Sequence, residues 1–283
     1  MAEELEIKLS LTEQALEQAG SWLLTQPGAR EADTRLLENH YFDTPEAELN
    51  RQKVALRVRK TGGDYIQTLK TQGEFVDGAH RRQEWEWPLM GTTLNIGLIA
   101  DTPVGQDINL AALKPVFETR FTRRIFMLEG SDAVIECALD SGVVRAGDQD
   151  QPLCELELEL KSGQSAALLG WARRLAEQVP VFLNLISKAE QGYTLAGIHS
   201  PQALGDDRPA LERLLHGLSR AWLCGSVDDD SRDALTAVTR DLQGSPVSQE
   251  LAWLECCIDE GQAVADLARD PRLGRLQLAL LQP

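Results

Sequence analysis

Charged and apolar side chains alternate along several short segments of this 283-residue chain. Glu4, Glu6 and Lys8 are spaced two residues apart, and residues 155–160 read Glu-Leu-Glu-Leu-Glu-Leu. In a β-strand, residues two apart share a face, so each set of acids would form a row. Neighbouring carboxylates repel one another and raise each other's pKa. A single strand of this kind is usual in an antiparallel sheet with one solvated face and one core face. The whole set of rows is costly unless cations lie among the oxygens.

Basic side chains follow the same alternation in other strand-like segments. The cations expected to face the acids are Lys8, Arg57, Arg59, Lys70 and Arg82. A site lined by both signs of charge needs a ligand that satisfies both, and a divalent metal bound to an oligophosphate does so. Mg²⁺ and Mn²⁺ prefer carboxylate oxygens, whereas Arg and Lys neutralise phosphate oxygens.

Strands must bring these residues together. The period-two runs that predict them are MAEELEIKL, VALRVRK, DYIQTLK, RRQEWEWPL, RRIFMLE, AVIECALD and LCELELELK. If they close into a barrel with the charged faces inward, acids and bases line one channel. The apolar faces would then pack against two predicted helices. One begins with a capping box from Ser10 to Glu13, and the other follows Ser162-Gly163.

The pattern changes near residue 205, where amphipathic helices replace the strands. We expect a boundary within residues 199–207, which divides the chain into a mixed domain, 1–199, and a helical domain, 200–283. Ser231 and Ser248 are the expected N-caps of two of these helices.

Composition excludes several classes of function. The chain has 28 basic and 44 acidic residues and a formal net charge of −16, which argues against nucleic-acid and anionic-membrane partners. It has no apolar run of about 20 residues, the length of a membrane helix. Its acidic start differs from a signal peptide, and its 5 cysteines form no C-x-x-C pair. We therefore expect reduced thiols and a cytoplasmic location.

The ordered motifs resemble those of the CYTH superfamily, the triphosphate tunnel metalloenzymes. Residues 4–8 match the ExExK signature of that family. Further marks follow in order: Tyr41-Phe42-Asp43-Thr44-Pro45, Leu56-Arg57-Val58-Arg59, Thr68-Leu69-Lys70, Arg82 with Glu84 and Glu86, Arg123, Glu136 with Asp140, the 155–160 repeat and Ser187-Lys188. The resemblance covers about residues 1–199. Within the family, the chain looks most like bacterial inorganic triphosphatases with a helical C-terminal extension.

The resemblance implies an α+β fold: an eight-stranded antiparallel β-barrel tunnel flanked by helices, followed by a small all-α domain. It implies hydrolysis of inorganic triphosphate, or of another small molecule that contains triphosphate, with one or two Mg²⁺ or Mn²⁺ ions. The implied metal ligands are Glu4, Glu6, Glu155, Glu157 and Glu159. The implied triphosphate clamp is Lys8, Arg57, Arg59, Lys70, Arg82, Arg123 and Lys188. The acids that would orient the bases or water are Glu84, Glu86, Glu136 and Asp140. Among all of these, we expect the catalytic residues to be Lys8, Arg57, Arg59, Lys70, Glu84 and Glu136.

Two features depart from the family pattern. Relatives often carry Lys two residues before Arg123, where this chain has Phe121, so Arg120 or Arg124 could substitute. Some relatives end in a basic, His-rich helical domain, the CHAD domain, which binds polyphosphate. Residues 200–283 hold no Lys, 8 Arg and 14 acids, so we interpret them as a shortened or diverged bundle. It is expected to pack against the barrel or against another subunit, as in a homodimer.

The tunnel motifs leave other functions open. Class IV adenylate cyclase and thiamine triphosphatase belong to the same family and share these motifs. A non-catalytic module that binds oligophosphate is the alternative from a different class. It would need the bases but could lose Glu4 or Glu157, and both are present.

Overall fold

The computed structural model describes residues 2–71, 74–76 and 79–281, with side chains for 5–71 and 83–281. The predictions for the side chains of Glu4 and Arg82 therefore lie outside the described residues. The described strands are β1 (Ala2–Ser10), β2 (Ala29–Asp43), β3 (Ala55–Thr61), β4 (Asp64–Lys70), β5 (Glu74–Val76), β6 (Ala79–Leu89), β7 (Lys114–Glu129), β8 (Ala133–Ala146), β9 (Gln149–Gly163) and β10 (Phe182–Leu183).

These strands form one antiparallel sheet in the order β10-β1-β9-β8-β7-β2-β3-β4-β6-β5. Strand β1 pairs with β9 on one side and with β6 on the other. The β1–β6 pairing joins the two ends of the series, so eight of the described strands close into a barrel. The predicted fold class is confirmed.

Helices cover the outside of the barrel and continue beyond it. They are α1 (Glu13–Leu23), α2 (Glu48–Arg51), α3 (Ile96–Ala100), α4 (Ala166–Ala176), α5 (Lys188–Leu195), α6 (Ala210–Cys224), α7 (Asp229–Asp241), α8 (Ser248–Asp259), α9 (Val264–Leu267) and α10 (Pro271–Leu280). Short 3₁₀ helices occupy Pro103–Gln106 and Leu110–Ala112. In the part of the chain that the structure describes, no helix has the length and apolar character of a membrane span.

Strand parity separates the two faces of the barrel wall. Leu156 and Leu158 of β9 are buried in a core that includes Leu16 of α1 and Leu168 of α4. Trp85 and Trp87 of β6 pack on a second core around α3. The side chains that alternate with these apolar residues point into the barrel, as the period of two requires.

The C-terminal helices pack against the barrel, as expected. Leu215 of α6 and Leu278 of α10 belong to the same buried core as β9. Gln277 binds the backbone of Leu183 twice. Its Nε2 donates to the Leu183 carbonyl oxygen at 3.0 Å, and its Oε1 accepts from the Leu183 backbone amide at 2.9 Å. Gly274 allows this approach, since a Cβ there would lie 2.0 Å from the carbonyl oxygen of Val181. The domain boundary and the likeness to a CHAD domain stay predictions.

Some local predictions were wrong. Ser10 ends β1, where its Oγ accepts from Asn184 at 2.9 Å, and Thr12 caps α1 instead. Asp228 caps α7, because its carboxylate reaches the amide of Ser231. Ser248 is the first residue of α8, and its side chain caps no amide there.

Strand β2 was also missing from the predicted strands, although it is one of the eight in the barrel. Much of its first half is exposed, and its sequence, AREADTR, lacks the apolar alternation that identifies a half-buried strand. It forms through its pairing with β7, which extends from Ala29 opposite Leu128 to Asp43 opposite Lys114.

Candidate active site

The inward faces of the barrel line a cavity of about 1580 Å³. Its charged lining in and beside the barrel includes Glu6, Lys8, Arg57, Arg59, Lys70, Glu84, Glu86, Arg123, Glu136, Glu157, Glu159, Lys161 and Lys188. Glu6, Arg59 and Glu157, which are distant in sequence, therefore face one shared space. Asp140 and Glu155 are buried immediately beside it and bind Lys188.

Glutamates of one strand and arginines of another face each other across the barrel. Strand β9 carries Glu157 and Glu159, and β3 carries Arg57 and Arg59. Going around the closed sheet, three strands separate β9 from β3 in either direction. A ligand in the tunnel thus lies between a carboxylate wall and a guanidinium wall.

Carboxylates from three adjacent strands form a row on the acidic side. Glu6 of β1 lies opposite Glu159 of β9, which lies opposite Glu136 of β8. Lys161 approaches this row, with Nζ 2.8 Å from Glu159 Oε1 and 3.6 Å from Glu136 Oε2. The row supplies hard oxygen donors of the kind that Mg²⁺ and Mn²⁺ prefer.

A dense ion-pair network centres on Lys188, the first residue of α5. Its Nζ lies 2.6 Å from Glu155 Oε2, 2.6 Å from Glu157 Oε1 and 3.0 Å from Asp140 Oδ2. Arg123 pairs with both oxygens of Asp140 at 2.7 Å and with Glu157 Oε2 at 2.6 Å. Two cations are thus fixed by three carboxylates beside the tunnel.

Electrostatics keeps this network ionised. Burial by itself would lower the pKa of Lys188, but Glu155, Glu157 and Asp140 outweigh it and raise that pKa well above its usual range. Burial would likewise raise the pKa of Glu157, but Lys188 and Arg123 hold it well below its usual range. Burial also disfavours the charged form of Arg123, yet its acidic partners raise its pKa. Lys188, Glu157 and Arg123 therefore keep their charges at neutral pH.

Strand β7 shows which arginine faces the tunnel. Arg123 points inward, whereas Arg120 and Arg124 lie on the other face of the strand and approach Glu38 and Glu17. Phe121, at the position where relatives often have Lys, shares the inward face with Arg123, and its ring centroid lies 5.6 Å from Lys188 Nζ. Arg123, rather than its neighbours, therefore fits the predicted role.

The basic wall has few acidic partners. Arg59 Nε donates to Asn39 Oδ1 at 2.8 Å, and Asn39 in turn donates to Thr119. Arg57 Nε is buried and has no hydrogen-bond partner among the described residues. In the same part of the chain, neither Arg57 nor Arg59 forms an ion pair with a carboxylate. This wall is therefore suited to an anionic ligand.

The pKa values of this wall reflect its positive potential. Burial, followed by the charges of Arg57 and Arg123, lowers the pKa of Arg59 to about 9. Burial would raise the pKa of Tyr41, but the guanidinium of Arg57 outweighs it and lowers that pKa. Both shifts are those expected where cations lie close together without an anion between them.

Two lysines complete the basic lining. Lys8 Nζ donates to the carbonyl of Ile186, and burial lowers its pKa despite the nearby charge of Glu155. Lys70 pairs with Glu84 at 2.9 Å across neighbouring strands. Glu86 accepts from Thr68 Oγ1 at 3.4 Å. The structure thus brings these predicted residues to the tunnel, and Glu84 is placed to orient Lys70.

The carboxylate row is where a metal ion would bind. Its donors are all oxygens, which fits Mg²⁺ or Mn²⁺. Among the described side chains, no three Asp, Glu, His or Cys groups already converge as a metal site. Glu155 does not line the cavity, and its two oxygens bind Lys188 and Gln191. Glu157 lines the cavity, and its two oxygens bind Lys188 and Arg123. The metal ligands stay a prediction.

Sequence reasoning missed several supporting residues. Asn39, which orients Arg59, lies on β2 and was missed with that strand, although it has the same parity as Tyr41. Gln191 donates to Glu155 at 2.7 Å from α5. The spacing of Ser187 and Glu190 could have located this helix, since the two residues form a complete capping box at its start.

Asp43 and Tyr193 fix the turn that follows β2, beside the cavity. Asp43 accepts from the amides of Thr44, Leu49 and Asn50 at 2.7–2.9 Å, which fixes the turn between β2 and α2. The Tyr193 hydroxyl donates to the same carboxylate at 2.7 Å. Burial, reinforced by Asp43, raises the pKa of Tyr193, so this hydroxyl keeps its proton.

The Tyr193→Phe substitution should lower the free energy of unfolding by about 1–2 kcal/mol, because a buried charge-assisted hydrogen bond is lost. Urea titration would measure the change. Tyr65→Phe is the matched control, since the Tyr65 side chain is half-buried on β4 and should change stability by less than about 0.5 kcal/mol. Equal effects of the two substitutions would contradict a structural role for the Asp43–Tyr193 bond.

Comparisons with known proteins agree with this architecture. The inorganic triphosphatase of Haemophilus influenzae is 34% identical over 197 residues, which cover 69% of this chain and 55% of that protein. The chain thus spans about half the length of this relative. HpAC1 from Hippeastrum, a proposed adenylyl cyclase with a dominant triphosphatase activity, has a TM-score of 0.51 and 17% identity over 68% of this chain and 95% of that one. That likeness concerns the fold alone.

A family model gives the assignment. The model of the CYTH domain matches residues 2–193, which include every strand of the closed barrel and both charged walls. The chain therefore belongs to the CYTH-domain family.

Proposed function

We propose that the protein hydrolyses inorganic triphosphate to pyrophosphate and phosphate inside this tunnel. The observation that carries the proposal is the pair Arg57 and Arg59, which has no carboxylate partner among the described side chains and faces the glutamates across the barrel. A compact polyanion that also carries a metal ion satisfies both walls at once. The name of the Haemophilus influenzae relative, inorganic triphosphatase, supports this choice.

The basic side chains would bind the substrate. Arg57 and Arg59 offer planar groups of donors that match the oxygens of phosphate. Lys8, Lys70 and Lys188 add positive charge from other sides of the tunnel, and Arg123 lies beside Lys188. The side chain of Arg82, outside the described residues, belongs to the same proposed clamp. Held in place, these groups stabilise the charge that develops on the equatorial oxygens of the transferred phosphoryl group.

The acidic side chains would hold one or two metal ions. Glu6 and Glu159 form the proposed centre, together with Glu4, and Glu157 lies next to them on β9. When bound, Mg²⁺ or Mn²⁺ neutralises phosphate charge and lowers the pKa of the attacking water. Glu136 holds Lys161 at the edge of this row, and Asp140 fixes Arg123.

A substrate panel tests the proposal. Purified protein would receive triphosphate, ATP, thiamine triphosphate and longer polyphosphate with Mg²⁺ or Mn²⁺, and the products would be separated. We expect phosphate and pyrophosphate from triphosphate, with the highest kcat/KM of the panel. Formation of cAMP from ATP would make the protein a cyclase, and preference for thiamine triphosphate would assign that activity. Binding of triphosphate without turnover would support the oligophosphate-binding alternative.

The Glu159→Gln substitution tests the metal site. We expect the Mg²⁺-dependent rate to fall at least about 10²-fold, because an amide binds a hard cation more weakly than a carboxylate does. Mg²⁺ should also raise the Tm of the unmodified protein and fail to raise that of the variant, since a ligand stabilises only the state that binds it. Glu129→Gln, which removes an exposed acid on β7, is the control. An unchanged response of Tm to Mg²⁺ in Glu159→Gln would remove Glu159 from the ligand set.

A further inference from the structure

The segment 182–187, which comprises β10 and the residues before α5, connects two lysines of the proposed clamp. The carbonyl of Ile186 accepts from Lys8 Nζ, and Lys188 begins α5 two residues further along the chain. Both lysines line the cavity, and both are almost fully buried. The position of the Lys8 ammonium therefore depends in part on where this segment places a single backbone oxygen.

Hydrogen bonds attach the segment to β1. Strand β10 pairs with β1, and the amide of Asn184 donates to the carbonyl of Lys8 at 3.1 Å. Asn184 Nδ2 donates to Ser10 Oγ at 2.9 Å, and Asn184 Oδ1 accepts from the amide of Ile186 at 2.9 Å. The buried side chain of Asn184 thus orients Ile186 relative to the end of β1.

Two polar side chains of the C-terminal helices reach the same segment. Ser219 Oγ of α6 accepts from the amide of Leu185 at 3.0 Å and donates to the carbonyl of Leu215 at 2.9 Å. From α10, Gln277 binds both the amide and the carbonyl of Leu183. The amides of residues 183 and 185 therefore find acceptors in the helical region.

Ser219 and Gln277 are unusual among the buried residues of the C-terminal helices. Within residues 200–281, which the structure describes, the buried polar side chains are those of Ser219, Ser231 and Gln277. Ser231 binds Asp228, the N-cap of its own helix, whereas the other two bind the backbone of the segment. Burial of a polar group is costly unless a hydrogen bond satisfies it, so these bonds favour one specific arrangement of helices and segment.

Apolar contacts hold both helices against the segment. Phe182 stacks on Trp222 of α6, with ring centroids 6.1 Å apart. Leu183 and Leu185 share a buried core with Leu278 of α10. Because protein interiors are closely packed, a shift of either helix would move the segment as well.

We infer that Ser219 and Gln277 are positioning residues for triphosphate hydrolysis, because from the C-terminal helices they fix the segment whose Ile186 carbonyl holds the Lys8 ammonium at the tunnel. An ammonium has three donors, so a bond to this carbonyl leaves others for phosphate oxygens. The inference rests on the proposed function, since it concerns one lysine of the proposed clamp. The C-terminal helices thereby act in the reaction without touching the substrate.

Kinetics of triphosphate hydrolysis with Mg²⁺ test the inference in the full-length protein. Ser219→Ala and Gln277→Leu should each raise the KM for triphosphate about tenfold and change kcat less than about threefold, because a displaced ammonium weakens the binding of substrate and transition state alike. Ser231→Ala is the matched control, since it removes a comparably buried hydroxyl from the same helices. It should lower Tm as much as Ser219→Ala does, by about 2–4 °C, and leave KM unchanged.

A double-mutant cycle tests whether the effect passes through Lys8. Lys8→Met should itself lower kcat/KM about 10²- to 10³-fold, and adding Ser219→Ala should lower it no further, since the group that Ser219 positions is gone. Additive losses would overturn the inference. Equal KM values for Ser219→Ala and Ser231→Ala, in proteins that hydrolyse triphosphate, would also overturn it. Ser219→Ala removes a single oxygen atom, so it decides the question even if Gln277→Leu fails to fold.

Failure of the proposed function gives a different result. If the unmodified protein binds triphosphate without hydrolysing it, the proposed hydrolysis fails, and calorimetric titration with inorganic triphosphate and Mg²⁺ replaces the kinetics. The inference then predicts a Kd about tenfold higher for Ser219→Ala and an unchanged Kd for Ser231→Ala. Equal Kd values would overturn the positioning role, and absence of binding would overturn both proposals.

Discussion

Replacing Arg59 with Ala should lower kcat/KM for triphosphate about 10²- to 10³-fold, which is the usual loss for one preorganised donor to developing charge. Arg59 is oriented by Asn39 at 2.8 Å and faces the glutamates across the barrel. Burial, followed by repulsion from the nearby charge of Arg57, lowers its pKa. A bound triphosphate would relieve that repulsion, so the arginine should contribute strongly to binding and to the transition state.

The matched control for Arg59→Ala is Arg120→Ala. Arg120 lies on the outer face of β7, where it approaches Glu38 at 3.5 Å with an exposed side chain. Its removal should change kcat/KM less than about twofold, since exposed ion pairs contribute little. Arg59→Lys should recover only part of the activity, because the ammonium restores charge without the planar pair of donors. Comparable losses at Arg59 and Arg120 would contradict the assignment of the tunnel as the active site.

The parity of charged residues in strands predicted that acids and bases line one channel, whereas the placement of the glutamates of β9 opposite the arginines of β3 comes from the strand order. Glu157 and Arg59 reach the same cavity because side chains two apart share a face and because the sheet closes. Parity could also have distinguished Arg123 from Arg120 and Arg124. Arg123 is two residues from Phe121 and therefore lies on the same face of β7, whereas Arg120 and Arg124 lie on the other face. Parity alone does not predict the register between strands, because the register depends on long-range pairing and on the turns.

The support of the site was harder to predict. Lys188 reaches Glu155 and Glu157 from a helix about thirty residues further along the chain, and no local pattern connects them. Asn39 lies on β2, and this strand was not predicted because its polar first half lacks apolar alternation. The part of the cavity wall that α6 forms depends on how this helix packs on the barrel, and tertiary contacts of apolar faces determine that packing. Local sequence therefore predicts the residues that line the tunnel better than those that position them.

The expected consequence of Lys188→Met is a loss of about 3–5 kcal/mol in the free energy of unfolding, because three carboxylates lose a shared buried cation. Glu155 is affected most, since only Gln191 would then remain among its described partners, whereas Arg123 still binds Asp140 and Glu157. Lys114→Met, which removes an exposed lysine from the start of β7, should change stability by less than about 0.5 kcal/mol. Urea titrations at pH 7 would measure both.

The pH dependence of that loss gives a second readout. Because folding raises the pKa of Lys188, the stability that Lys188 contributes is fully present below its unfolded pKa near 10.4. That stability is lost only as the pH rises through the higher pKa of the folded state. The lowered pKa of Glu157 means that its contribution is present above about pH 4.3 and is lost as the pH falls through the folded value. The difference in the free energy of unfolding between the unmodified protein and Lys188→Met should therefore be constant from about pH 6 to 9 and shrink below about pH 4.

Adding Glu155→Gln to Lys188→Met should recover part of the stability, because the unpaired charge is removed. A double variant less stable than Lys188→Met would contradict the proposed pairing.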